Sequence, residues 1–133
     1  MNVFNRLKNM NILLIDDDEW IRDSMRIFFE TEGCQITALE TAEEAFEMIH
    51  RQDYDIVICD YKLPGLHGLT FLKEVRQRLP DSLTVLITAY KTADLVSEAK
   101  EIGVHAFIAK PFTSETIEAA LGHIIAEQQY GNY

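Results

Sequence analysis

Cysteine is scarce in this chain: Cys34 and Cys59 are the only two in 133 residues, and no histidine or further cysteine stands near either at a zinc-ligand spacing. Two isolated thiols make neither a disulfide framework nor a zinc site. Both lie in apolar stretches, Gly33-Cys34-Gln35-Ile36 and Ile56-Val57-Ile58-Cys59, the setting of buried, reduced cysteines. Long apolar runs are also missing. Nothing approaches the roughly 18–20 residues of a membrane span, and Met1 to Met10 lacks the hydrophobic stretch of a signal peptide. A cytoplasmic location is therefore expected, with no membrane partner. Basic residues are few: twelve Lys+Arg stand against twenty-two Asp+Glu, a formal charge of -10. Such a surface repels nucleic acid and anionic lipid at long range, so neither is expected as a direct partner. From Pro111 to Tyr133 there is no Lys or Arg at all, which excludes a basic recognition helix. There is no linker and no low-complexity segment. With 47% hydrophobic residues the chain is too apolar to be disordered. Its length is that of one domain.

What is present is an alternation. Short apolar runs, Ile12 to Ile15, Ile36 to Leu39, Ile56 to Cys59, Leu83 to Ile87 and Ala106 to Ala109, are separated by longer segments of helical periodicity. The runs are nearly continuous, as strands buried on both faces are, which points to a parallel sheet. The intervening segments carry one apolar stripe each: Ile21, Met25, Phe28 and Phe29; Ala45, Phe46 and Ile49; Leu72, Val75 and Leu79; Leu95, Ala99 and Ile102; Ile117, Leu121, Ile124 and Ile125. Thr41-Ala42-Glu43-Glu44 reads as a capping box. Gly33 and Gly103 stand where left-handed C-caps are wanted, and Thr113 can cap the last helix. Pro64-Gly65 and Pro80-Asp81 read as breaks. The pattern predicts an open α/β sheet with helices on both faces.

In such a sheet, ligands bind outside the carboxyl ends of the strands. The first strand ends in Asp16-Asp17-Asp18-Glu19, the third in Asp60, the fourth in Thr88-Ala89 and the fifth in Lys110-Pro111. Clustered carboxylates stay ionised together only beside a compensating cation. Oxygen-only ligands favour a hard one, and Mg²⁺ held by one or two carboxylates with waters and a phosphate is the usual pattern. A metal beside a carboxylate, a hydroxyl and a lysine suits phosphoryl transfer, with a carboxylate as nucleophile giving an aspartyl phosphate. Each piece has an ordinary reading too. An acidic run often marks a helix N-terminus, Thr88 could be a strand-end residue, and Lys110 a surface lysine. Their joint placement at strand ends, in order, is what argues for a site.

Ile12 to Asp17, Asp60 with Lys62-Leu63-Pro64-Gly65, Leu86-Ile87-Thr88-Ala89 and Ala109-Lys110-Pro111-Phe112 together resemble the receiver domain of two-component response regulators. The resemblance implies a flavodoxin-like (βα)5 fold, a doubly wound five-stranded parallel sheet of order 2-1-3-4-5. It would span residues 11–126, with residues 1–10 as an N-terminal extension and residues 127–133 as a polar, fraying tail. It further implies that Asp60 is the phosphoacceptor and that Asp16, Asp17, Asp60 and the backbone carbonyl of Lys62 hold Mg²⁺, or Mn²⁺ in its place. Thr88 and Lys110 would contact phosphoryl oxygens. Phe107 falls at the aromatic switch position, and the Lys110-Pro111 bond at one that is cis in the family. The donor would be a phosphohistidine on a sensor histidine kinase or a histidine phosphotransfer protein. Modification would switch the face made by the fourth helix (around Leu95 to Ile102), the fifth strand and the last helix. The chain would catalyse only its own phosphorylation and dephosphorylation.

Four positions depart from the common pattern or tune it. His67 stands in the Gly65-Leu66-His67-Gly68 turn where an acidic or amide residue is frequent. It is either a solvated turn residue or a cation near the phosphoryl group. Lys62 and Tyr90, two residues beyond Asp60 and Thr88, are long and bulky enough to shield an acyl phosphate, so slow self-dephosphorylation is expected. Phe107 lacks the hydroxyl of the frequent tyrosine. No effector domain follows, so the output requires a downstream protein or an effector absent from this chain. Leu86 to Phe112 also looks like receivers attached to ATPase-type transcription activators. A phosphorylation-dependent homodimer stays open, although the last helix lacks the basic residues of charge-paired dimers. Two rival readings remain. A Mg²⁺-dependent small-molecule phosphohydrolase would need a second acid where Lys62 stands and a substrate cap. A phosphorylation-independent binding module would not need the full acidic set.

Overall fold

The computed structural model describes residues 3–130. In chain order the elements are α1 (Val3–Leu7), β1 (Asn11–Ile15), α2 (Glu19–Thr31), β2 (Gln35–Leu39), α3 (Ala42–Arg51), β3 (Ile56–Asp60), β4 (Lys62–Leu63), β5 (Leu66–His67), α4 (Gly68–Arg78), β6 (Leu83–Thr88), α5 (Ala93–Ile102), β7 (Ala106–Ala109) and α6 (Ser114–Tyr130). The five long strands form one parallel sheet in the order β2-β1-β3-β6-β7. Counted among themselves, these strands follow the expected order 2-1-3-4-5, the flavodoxin-like arrangement.

The continuous apolar runs are explained by the side chains they send to opposite faces. Ile12 and Leu14 of β1, Ile56 and Ile58 of β3, and Val85 and Ile87 of β6 pack with Met25 and Phe29 of α2 and with Ile117, Leu121 and Ile124 of α6. Their neighbours Leu13, Ile15, Val57, Cys59 and Leu86 pack on the other face with Ala45 of α3, Phe71 and Leu72 of α4 and Leu95 of α5. The expectation of burial on both faces holds for the three central strands and fails at the edges. Gln35 of β2 is exposed and Ile36 to Leu39 are half-buried, and in β7 only Ile108 is buried. An edge strand has a neighbour on one side only, so its flank stays open.

The caps follow the sequence. In the box at the start of α3, Glu44 N–H donates to Thr41 Oγ1 at 3.2 Å and Thr41 N–H to Glu44 Oε1 at 3.3 Å. Gly33 and Gly103 have φ of 80° and 97° after α2 and α5, the left-handed conformation that a side chain disfavours. Thr116 N–H donates to Thr113 Oγ1 at 3.2 Å at the start of α6.

Two features lay outside the periodicity. The breaker Pro64-Gly65 is the turn of a small antiparallel hairpin, β4 with β5, pairing Lys62 with His67 and Leu63 with Leu66. The first ten residues, read as an extension, contain α1, whose Leu7 is fully buried in the cluster with Phe29 and Ile124. At the other end, α6 continues to Tyr130, into the segment read as a tail; residues 131–133 lie outside the described part.

Candidate functional site

Parallel strands that neighbour one another end at the same edge, and that edge gathers the polar residues. Asp16 follows β1, Asp60 closes β3, Thr88 closes β6 and Lys110 follows β7. Asp16, Asp60 and Thr88 are 0%, 6% and 1% exposed, whereas Asp17 is exposed. A carboxylate oxygen from each of Asp16, Asp17 and Asp60 falls in one group within 4.8 Å. Lys110 Nζ lies 3.1 Å from Asp16 Oδ2 and 3.3 Å from Asp60 Oδ2, so one ammonium bridges both buried carboxylates.

The acidic run at the end of β1 divides its labour. Asp18 is the helix cap: its Oδ1 accepts the Trp20 N–H at 2.9 Å at the start of α2. Asp16 turns inward, its Oδ1 accepting the Asp18 N–H at 2.9 Å while its Oδ2 faces Lys110. The ordinary and the functional readings of the run are thus both realised, by different residues.

Asp60 is held by backbone. Tyr61 N–H donates to Ile87 O at 2.8 Å, extending the ladder one residue past the strand, and Gly68 N–H donates to Tyr61 O at 2.6 Å. The hairpin thereby folds back onto the Asp60 carbonyl so closely that a Cβ on Gly68 would stand 2.0 Å from it. Sequence reasoning passed over Gly68, because only the returning hairpin creates the close approach. The Thr88 Oγ1 accepts the Tyr90 N–H at 3.0 Å. The Lys110-Pro111 bond is cis.

The electrostatics are unbalanced. Burial, reinforced by the neighbouring Asp16 charge, pushes the Asp60 carboxyl up to about 6, against the pull of Lys110. Burial also raises Asp16, opposed by the Asp18 N–H and by Lys110. Burial works against the Lys110 ammonium, but Asp16 and Asp60 outweigh it and raise its pKa. The Cys59 thiol next to Asp60 is pushed well up by full burial and then by the Asp60 charge, so it is inert. Three carboxylates, two of them bridged by one lysine, make an oxygen-only donor set with charge to spare, which fits a hard divalent cation. The arrangement brings buried carboxylates and the buried Thr88 hydroxyl to the same edge of the sheet.

The remaining predicted residues surround this group. Lys62 Nζ sits over the Tyr90 ring, 4.3 Å from its centre. Phe107 lies on β7 opposite Leu86, half-buried against the face that carries α5. His67 is stacked on Tyr61, ring centres 5.4 Å apart, and is not part of the carboxylate group. Beside Lys110 an apolar hollow is walled by Trp20, Ile21, Pro111 and Phe112; Trp20 is 83% exposed.

Residues 12–122 match the response regulator receiver domain family. The chain is 30% identical over 115 residues to the sporulation initiation phosphotransferase F of Bacillus subtilis, covering 86% of this chain and 93% of that protein. It is 31% identical over 109 residues to the hydrogenase transcriptional regulatory protein HoxA of Cupriavidus necator, covering 81% of this chain but only 22% of that one. The crystal structure of a CheY-like response regulator receiver domain protein from Methanospirillum hungatei superposes with a TM-score of 0.85 at 25% identity, covering 92% of this chain and 98% of that one. Fold, acidic edge and family match converge, and the chain belongs to the response regulator receiver domains, the phosphoacceptor modules of two-component signalling.

Proposed function

We propose that Asp60 is the residue that takes the phosphoryl group. The observation that carries this is the placement of Asp60 and Asp16 as buried carboxylates bridged by Lys110 at 3.3 and 3.1 Å. Two buried carboxylates side by side are costly unless cations compensate them, and Lys110 supplies only one positive charge. Asp16, Asp17, Asp60 and the Lys62 carbonyl are the proposed Mg²⁺ ligands; Mn²⁺ would suit the same oxygen set. When bound, the metal neutralises charge on the transferring phosphoryl oxygens.

The steps left to this chain's residues are few. An Asp60 oxygen attacks the phosphorus of a phosphohistidine on a kinase or phosphotransfer protein. The Oδ–P bond forms as the N–P bond breaks, and the released imidazole takes up a proton. Thr88 donates its hydroxyl to one phosphoryl oxygen and Lys110 its ammonium to another. Those attractions draw Thr88 inward, and Phe107 follows into the space it leaves. The surface formed by α5, β7 and α6 then shifts its population, the event a downstream protein or effector would read. The apolar hollow with its exposed Trp20 is suited to receiving the donor protein next to Lys110. We take residues 11–126 as the receiver proper, in a cytoplasmic chain. Whether it works alone or within a longer regulator is a question its relatives answer both ways, given the 93% and 22% of their lengths it spans.

The test is intact mass after incubation with acetyl phosphate and Mg²⁺, beside Asp60→Asn. One phosphate on the wild type and none on the variant is the expected result. An adduct that persists in Asp60→Asn would overturn the assignment.

A further inference from the structure

Arg22 follows the acidic run Asp16 to Glu19 and precedes Asp23. Among the described residues it forms no ion pair with a carboxylate, whereas Arg26, one turn further along α2, pairs with Asp23 at 3.1 Å. The half-buried guanidinium of Arg22 turns back along the chain instead, and its Nη1 donates to the backbone carbonyl of Asp16 at 2.9 Å. The backbone N–H of the same residue donates to Asp18 O at 3.1 Å. One residue therefore grips the chain on both sides of Asp17. Two more bonds close this turn: Asp18 N–H donates to Asp16 Oδ1 at 2.9 Å, and Asp16 N–H to Leu39 O at 3.1 Å. Asp17 itself is exposed and forms no ion pair among the described residues. Yet one of its carboxylate oxygens falls in the group with Asp16 and Asp60. Burial holds those two carboxylates in place. An exposed side chain has no such restraint, so the Asp17 carboxylate is aimed by its backbone.

We propose that Arg22 is a positioning residue for the cation site, bracing the Asp16–Asp18 turn from both sides so that the Asp17 carboxylate points at Asp16 and Asp60. The proposal rests on Asp16, Asp17 and Asp60 being the Mg²⁺ ligands. A guanidinium bond to a carbonyl is charge-assisted and stronger than a neutral one. It fixes the plane of the peptide that joins Asp16 to Asp17, and with it the direction in which the Asp17 side chain leaves. Groups standing behind a metal's ligands set their orientation and the affinity of the site in this way. Lys110 acts differently. Its ammonium lies on the Asp16 and Asp60 carboxylates themselves and competes with a metal for their oxygens. Arg22 places its charge on a carbonyl and takes no carboxylate oxygen from the ion.

The experiment is a Mg²⁺ titration of the full chain, stripped of divalent metal, followed by Trp20 fluorescence and by calorimetry. Trp20 reports on the turn because its N–H is bonded to Asp18. Arg22→Met keeps the aliphatic stem and removes the guanidinium; it should bind Mg²⁺ about tenfold or more weakly. Losing a positive charge near a cation site would by itself tighten binding, so the direction separates the brace from the charge. Arg22→Lys keeps a cationic donor for the carbonyl and should bind more tightly than Arg22→Met. In Asp17→Ala, adding Arg22→Met should weaken binding no further, whereas a general loosening of the fold would weaken it again. An Arg22→Met affinity equal to or above wild type overturns the proposal. The same loss without the Asp17 carboxylate overturns it too, as does an Arg22→Lys affinity no better than that of Arg22→Met. No saturable response in the wild type would instead defeat the metal-site reading, and this proposal with it.

Discussion

The buried carboxylates set the behaviour of single residues. Burial, with the Asp16 charge beside it, disfavours the Asp60 anion and pushes its carboxyl up to about 6, above an ordinary aspartate. The folded chain therefore binds this proton more tightly than the unfolded one. Its stabilising share is fully present below about pH 4 and is lost as pH rises through about 6, which amounts to about 3 kcal/mol. In the absence of divalent metal, urea unfolding between pH 4 and 7 should show stability falling as pH rises. Asp60→Asn should lessen that fall by about this amount and be the more stable protein at pH 7. Added Mg²⁺ should recover stability for the wild type above pH 6 and far less for the variant, since the ion needs the carboxylate. A fall with pH no steeper in the wild type than in Asp60→Asn would contradict the electrostatic account. The acidic run Asp16 to Glu19 shows how far residue identity alone can be read. Four acids in a row are alike on paper, yet Asp18 caps α2 and Asp16 faces Lys110. Only the turn of the backbone after β1 tells them apart.

At the scale of elements, the long strands and helices were legible because each repeats a period over enough residues. The hairpin of β4 and β5 was not, since two-residue strands carry no period, and α1 is only Val3–Leu7. Both matter. Gly68 closes the hairpin onto the Asp60 carbonyl, so Gly68→Ala must push the hairpin or the end of β3 aside. We expect a loss of about 2 kcal/mol or more in urea unfolding, together with slower phosphorylation if Asp60 is the acceptor, because its backbone would be displaced. Wild-type kinetics in that variant would show the contact to be tolerant. Leu7 offers a separate test of where the domain begins. It is fully buried against the cluster of α2 and α6, so Leu7→Ala should cost about 2–4 kcal/mol in the same assay. A change within about 0.5 kcal/mol, the range of an ordinary surface position, would show that α1 adds nothing to the core, as expected of an extension outside residues 11–126.

For the whole molecule, the fold brings together loops that lie far apart in sequence. Lys62 follows β3 and Tyr90 follows β6, adjacent strands of the sheet, and the Lys62 ammonium sits over the Tyr90 ring. If this pair shields Asp60 from water, the expected consequence is a long-lived acyl phosphate. After desalting, the adduct should decay slowly, and Lys62→Ala or Tyr90→Ala should hasten the decay by about fivefold or more, roughly 1 kcal/mol in barrier. Decay unchanged in both variants would remove the shielding role. The net charge of -10 and the basic-free segment from Pro111 onward make a surface that repels nucleic acid at long range.

The amino-acid sequence by itself determined the alternation of strand and helix, the burial of both faces of the central sheet, the caps, and the four chemistry-bearing residues at strand ends. Those properties are local, set by side-chain period and by the short reach of a cap. Tertiary structure alone decided the rest. It set which strands lie at the edge, which carboxylates share Lys110, why position 68 has no room for a side chain, and that Lys62 sits on a ring. Each of these depends on distances between segments remote in the chain, which no period or spacing encodes.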